Sequence, residues 1–145
     1  MEKLSFGASL GAVMQVSFIV DDMERELWHW TQTLRVGPFF YLPHFPLADT
    51  QYRGSRIEID LDVALAFSGS TCYELVRQND DVPSPFREMV ATRGFGFHHW
   101  AVPTRTFEAD LRGHQKNGMA IVASAMLAGT RKRGYTVKFT GEMRA

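Results

Sequence analysis

Cysteine is almost missing: Cys72 is the single one in 145 residues, which excludes an intramolecular disulfide and a cysteine-rich zinc site. Any metal would have to rely on histidine, carboxylate or amide ligands. An excess of charge is missing too. The 16 basic and 16 acidic side chains balance, so neither a polyanion-binding surface nor a nucleic-acid partner is favoured. No stretch approaches the roughly 20 consecutive apolar residues of a membrane span, and the opening "MEKLSFGASLGAVMQ" is too weakly apolar for a secretory signal. The expectation is a cytoplasmic protein without a membrane partner. What is present, 45% hydrophobic residues with 22% charged, suffices for the core of one ordinary domain, read as 1–145.

The first firm pattern is "MQVSFIVDDMERELWHWTQTLRVGPFF". A β-rich run, Gln15 to Val20, meets Asp21 and Asp22, either of which can accept from free N–H groups at a helix start, and Asp21 with Glu24 has the form of a capping box. Met23, Leu27, Trp30 and Leu34 then make one apolar helix face. Gly37-Pro38 stops it, and "FFYLPHF" predicts a strand cut off by Pro43 and Pro46. From Arg56 to Phe67, "RIEIDLDVALAF" alternates strictly and predicts a long strand. Ser68-Gly69-Ser70 is a turn, and "TCYELVRQ" is the hairpin partner. After the polar "NDDVPSP", "SPFREMVATRG" predicts a short helix with Ser84 as cap and Pro85 at its first position.

The second half, "FHHWAVPTRTFEADLRGHQKNGMAIVAS", again reads strand, cap, helix, strand. A shift of 84 residues carries Met23, Leu27, Trp30 and Leu34 onto Phe107, Leu111, His114 and Gly118, Asp22 onto Thr106 and Glu24 onto Glu108. The preserved order of signals argues for two related modules. They are placed at about 12–78 and about 95–145, with a connector at about 79–94. The same shift puts Gln15 on His99.

Neighbours on a strand point to opposite faces, so His98 and His99 are not expected to look into one site. With Val16, Phe18 and Val20 under the helix, Gln15 points away from it. By the repeat His99 points with Gln15, while Trp100 and Val102 pack under the second helix. Leu75 has core-facing character, which turns Glu74 the other way. Gln15, Glu74 and His99 are thus expected to meet on a concave sheet surface opposite the helices. Imidazole, carboxylate and amide oxygen together ligate a divalent metal that polarises a carbonyl and stabilises an enolate. Without metal, Glu74 or His99 moves a proton next to a carbonyl. The bland alternatives are a hydrogen-bonded core histidine and a solvated glutamate on a sheet face. Tyr41 and His44, in the loop-rich approach to the hairpin, border a substrate pocket or form core edge. Glu58, Asp60 and Asp62, stacked on one side of a strand, read as exposed or ion-paired rather than as a metal cluster.

On "QVSFIVDDMERELWHWTQTLRVGPF", "CYELV" and "GFHHWAV" followed by a second helix, from about Gln15 to the strand near Val122, the chain resembles the vicinal oxygen chelate superfamily of glyoxalases, bleomycin-resistance proteins and dioxygenases. The closest flavour is the methylmalonyl-CoA epimerase and glyoxalase-like branch. The resemblance implies an α+β fold of two βαβββ-type modules wrapped into a cup-shaped mixed sheet. It matches Gln15, Glu74 and His99 to three ligand positions. The second module reads as shortened: Lys138, in "YTVKFT", stands where a last strand would carry a glutamate, and Glu142 is the only late carboxylate.

The resulting expectation is a small-molecule isomerase, epimerase or lyase acting next to a carbonyl or thioester. Glu74 and His99 are the catalytic candidates, Gln15, Tyr41 and His44 the substrate-binding ones, and Gln15, Glu74 and His99 the ligands of a divalent metal, with a metal-free mechanism as the other version. The alternative is a non-catalytic small-molecule binder using the same cup. A sheet edge left open by a missing strand predicts a homodimer or another edge-completing partner.

Overall fold

The structure is a computed structural model that describes residues 7–129 and the backbone of 133–139. Among these it has nine strands and three helices: β1 (Gln15–Ile19), α1 (Met23–Gln32), β2 (Phe40–Leu42), β3 (Leu47–Tyr52), β4 (Ser55–Arg56), β5 (Leu61–Ser68), β6 (Thr71–Gln78), α2 (Pro85–Arg93), β7 (Gly96–Ala101), α3 (Phe107–Lys116), β8 (Met119–Leu127) and β9 (Arg133–Phe139). The class is α+β, as the sequence predicts. No described helix is long and apolar enough to cross a membrane.

The strands fall into two sheets, of order β2-β5-β6-β1-β7 and β4-β3-β8-β9. They belong to two compact units. One holds the chain up to Phe45, Asp60–Asp81 and Phe86–Pro103; the other holds Pro46–Ile59, Val82–Pro85 and the chain from Thr104 onward.

In the first unit, β1, α1, β2, β5 and β6 make one βαβββ module, with β1 parallel to β6 and β5 antiparallel to β6. The connection from β1 to its parallel neighbour β6 is long, as a parallel pair requires, and includes α1. The first strand of the second module, β7, closes the sheet by pairing antiparallel to β1. At the tight β5–β6 turn Gly69 has φ 59°, a conformation that a side chain disfavours. Asp22 caps α1, its side chain accepting from the Arg25 backbone N–H at 2.9 Å. The apolar stripe works as patterned at Met23 and Trp30, both buried with Val20, Ala64 and Leu75, and Leu27 packs beside them. The Trp30 indole meets Phe18 edge-on at 5.1 Å and Tyr73 at 5.2 Å. Leu34 lies past the end of the helix and is exposed.

In the second unit β3 pairs with β4 and β8, and β8 with β9, all antiparallel. The helix α3 coincides with α1 shifted by 84 residues. Thr106 precedes it as patterned but makes no side-chain capping bond.

Two expectations are corrected. The strand read over 56–67 is broken, because residues 57–60 leave the ladder: Ile57 N–H donates to the Thr50 carbonyl at 3.0 Å and Asp60 N–H to the Asp80 carboxylate at 2.6 Å. Trp100 and Val102 are exposed rather than buried, and the Trp100 ring lies on Phe97 at 4.8 Å. Among the described residues only β7 of the second module joins the five-stranded sheet, while β8 and β9 lie in the other. Lys138 lies on β9, opposite Ala120, and Glu142 lies outside the described residues.

Candidate functional site

The polar face of the five-stranded sheet is set by register. Phe18, Val20, Leu75 and Ala64 go under α1, so the alternate residues Gln15, Ser17 and Glu74 face the other way. Ser17 is the centre of this arrangement, paired with Glu74 on the parallel side and with His99 on the antiparallel side. Three of the expected site residues, Gln15, Glu74 and His99, therefore come together from β1, β6 and β7.

Their electrostatics follow from burial. Burial pushes the Glu74 carboxyl above the usual glutamate range, and the polar Ser17 and Gln15 side chains beside it partly offset the rise. Burial also holds the His99 imidazole down to about 4. His99 Nε2 and Glu74 Oε2 stand 3.8 Å apart, beyond direct hydrogen-bond reach. The Ser17 hydroxyl is fully buried and makes no well-formed hydrogen bond despite its proximity to Glu74. An imidazole nitrogen that stays neutral, a carboxylate and an amide oxygen form a donor set that suits a borderline or hard divalent ion. Cys72, paired with Gln15 across the ladder, is buried, and its thiol is pushed up to about 11. Burial thus keeps it in the protonated, weakly nucleophilic form.

His98 departs from its expected place. The β1–β7 pairing slips between Ser17 and Phe18, which face His99 and Phe97, so His98 is the extra residue of a β-bulge. Strict alternation fails there, and His98 Nδ1 comes to 2.7 Å from His99 Nδ1. Sequence reasoning missed both His98 and Ser17. A polar Ser17 inside an otherwise apolar strand was the available sign for one, whereas a bulge leaves no periodic trace for the other.

Tyr41 and His44 are not brought to this trio. Tyr41 pairs with Ala64, whose side chain packs with the α1 core, which puts Tyr41 on the opposite face of the sheet. Its hydroxyl donates to Asp62 at 2.7 Å. The His44 N–H donates to the same carboxylate at 3.0 Å, and Asn79 donates at 2.9 Å. Burial raises the Asp62 carboxyl, but these bonds outweigh it and hold the group below its usual value. His44 Nδ1 also meets Asp60 at 2.8 Å, which raises the imidazole. The ligand atoms of His44, Asp60 and Asp62 lie within 4.8 Å of one another. Their bonds to protein groups explain the cluster as a clasp between the approach to β5 and the strand itself. Of the two readings of the acidic row, exposure fails for Asp62, which is buried and stands opposite Arg77 of β6.

Comparison with solved structures gives the same fold at low identity. A hypothetical protein BH1468 from Bacillus halodurans C-125 aligns with TM-score 0.55 and 17% identity over 80% of this chain and 83% of its own. Methylmalonyl-CoA epimerase from Mycobacterium tuberculosis aligns with TM-score 0.53 and 14% identity over 78% and 68%. A variant of the Streptomyces coelicolor methylmalonyl-CoA epimerase, in complex with 2-nitronate-propionyl-CoA, aligns with TM-score 0.51 and 15% identity over 78% and 74%. No curated protein matches the sequence. The family model of the Glyoxalase/Bleomycin resistance protein/Dioxygenase superfamily matches residues 14–139, a span that holds both modules and all of the converging side chains, and the chain belongs to that superfamily, the vicinal oxygen chelate proteins.

Proposed function

We propose that the chain is an isomerase or epimerase that moves a proton at a carbon next to a carbonyl or thioester. The observation that carries this reading is the buried Glu74 carboxyl facing His99 Nε2 at 3.8 Å, with Gln15 and Ser17 beside it on the same face. Burial raises the carboxyl and lowers the imidazole, which moves their proton affinities toward each other, and a carboxyl raised by burial is the better base for a carbon-bound proton. Glu74, as carboxylate, takes the proton from the carbon while the C–H electron pair moves toward the carbonyl oxygen. Return of a proton to that carbon completes isomerisation or epimerisation. His99, 3.8 Å from Glu74, is the second proton-carrying group beside the reacting carbon, and Gln15 orients the carboxylate. Where a divalent ion binds, Gln15, Glu74 and His99 would hold it, and it would polarise the substrate carbonyl. The thioester class is supported by the similar fold of the methylmalonyl-CoA epimerases.

Deuterium incorporation from solvent into a panel of 2-substituted acyl thioesters, methylmalonyl-CoA first, tests the reading. Glu74→Gln and His99→Ala should each lower exchange by about 100-fold or more in a folded chain. Full activity in either variant would remove that residue from the reaction. Binding without exchange across the panel would favour a non-catalytic binder instead.

A further inference from the structure

The bulge in β7 makes His98 and His99 a bonded pair. Their Nδ1 atoms are 2.7 Å apart and their rings lie nearly perpendicular, at 83°. Two neutral imidazoles approach this closely only with one proton between them, so one Nδ1 donates and the other accepts. The rings are thereby coupled: a proton on Nδ1 of one demands that the other carry its proton on Nε2. His98 is itself held from behind by Phe86 of α2, with ring centroids 5.0 Å apart and planes tilted by 33°. On the far side of the pair, His99 presents Nε2 to Glu74. A nitrogen that is to receive a proton or bind a cation must offer its lone pair there, which requires the ring proton on Nδ1.

We propose that His98 is a positioning residue: it accepts a hydrogen bond from Nδ1–H of His99 and so fixes the tautomer in which Nε2 of His99 is bare toward Glu74. This rests on the reading of Glu74 and His99 as the reacting pair. The acceptor is a second imidazole rather than a carboxylate or a backbone carbonyl, so unlike those two it can also donate and run the bond in reverse. That makes the direction of the bond measurable. Phe86 orients His98, His98 sets the proton on His99, and His99 meets Glu74, so the connector helix reaches the polar face through two rings.

The test is long-range 1H–15N correlation NMR of the imidazoles at neutral pH, which reads each tautomer directly. In the wild type His99 should carry its proton on Nδ1 and His98 on Nε2. His98→Phe keeps a ring against Phe86 but removes the acceptor, and His99 should then shift to the Nε2–H form or to a mixture. His98→Asn supplies an amide oxygen and should restore the Nδ1–H form. In the deuterium-exchange assay His98→Phe should lose about 10- to 100-fold in kcat with KM unchanged, and His98→Asn should recover most of it. An Nε2–H proton on His99 in the wild type, or an unaltered tautomer in His98→Phe, would overturn the proposal. If His98→Phe does not fold, the wild-type spectrum decides alone. A wild-type enzyme that exchanges no thioester would sink the catalytic reading, while the tautomer measurement would still stand or fall on its own result.

Discussion

His99 makes the sharpest demand at the scale of the single residue. In the folded chain burial holds it to about 4 against an ordinary 6.5. A group depressed on folding contributes stability that is fully present above its unfolded value and drains away as pH falls through the folded one. Between pH 6.5 and 4 the wild type should therefore lose on the order of 3 kcal/mol through this side chain. Glu74 runs the other way, since its carboxyl is raised: its contribution is full below the ordinary glutamate value and is lost as pH rises through the folded one. Denaturant unfolding of the wild type and His99→Gln across that acid range separates the two. The variant should lose less stability on acidification, and parallel curves would show that His99 is not buried as a neutral ring. The neighbouring Ser17 hydroxyl, sealed in without a good partner, belongs with these two as local cost tolerated at a working site.

At the scale of the element, helices were far more legible than strands. The repeat in sequence placed α3 by its likeness to α1, from a cap position and a stripe spacing that are both local, although Leu34 and Gly118 at the end of the stripe fall outside the two helices. Asp22 is the local signal that closes α1 in front, and Asp22→Ala should cost about 1 kcal/mol in unfolding free energy. Asp21→Ala should cost less, since Asp21 makes an exposed ion pair with Arg25. Equal losses from the two would mean that the cap has been assigned to the wrong aspartate. Strand readings failed where non-local partners intervened. The alternation from Ile57 onward is genuine in the letters, yet Thr50 and Asp80 take the backbone donors of Ile57 and Asp60, and the ladder begins only at Leu61. The same holds for His98, whose place depends on a one-residue slip against β1. The converging set Gln15, Glu74 and His99 was readable because it needed only the parity of each strand. Tyr41 was not, because its face depends on pairing with β5.

At the scale of the whole molecule, burial is distributed unevenly between the elements. In β6 Cys72, Leu75 and Val76 are buried, whereas α3 contains no buried residue. Amides of β6 should accordingly exchange with deuterium only through global unfolding, and those of α3 through smaller openings, by at least tenfold in protection. Comparable protection in the two would contradict the burial described here. The strand order adds a constraint on assembly. Because β1 is flanked by β6 and β7, which are remote from it along the chain, the carboxyl and the imidazole become neighbours only after large loops have closed. High contact order of this kind ties the polar face to completion of folding rather than to any early hairpin. No fragment that ends at β6 can display the pair, so recognition of a ligand by this face doubles as a report that the sheet has been fully threaded.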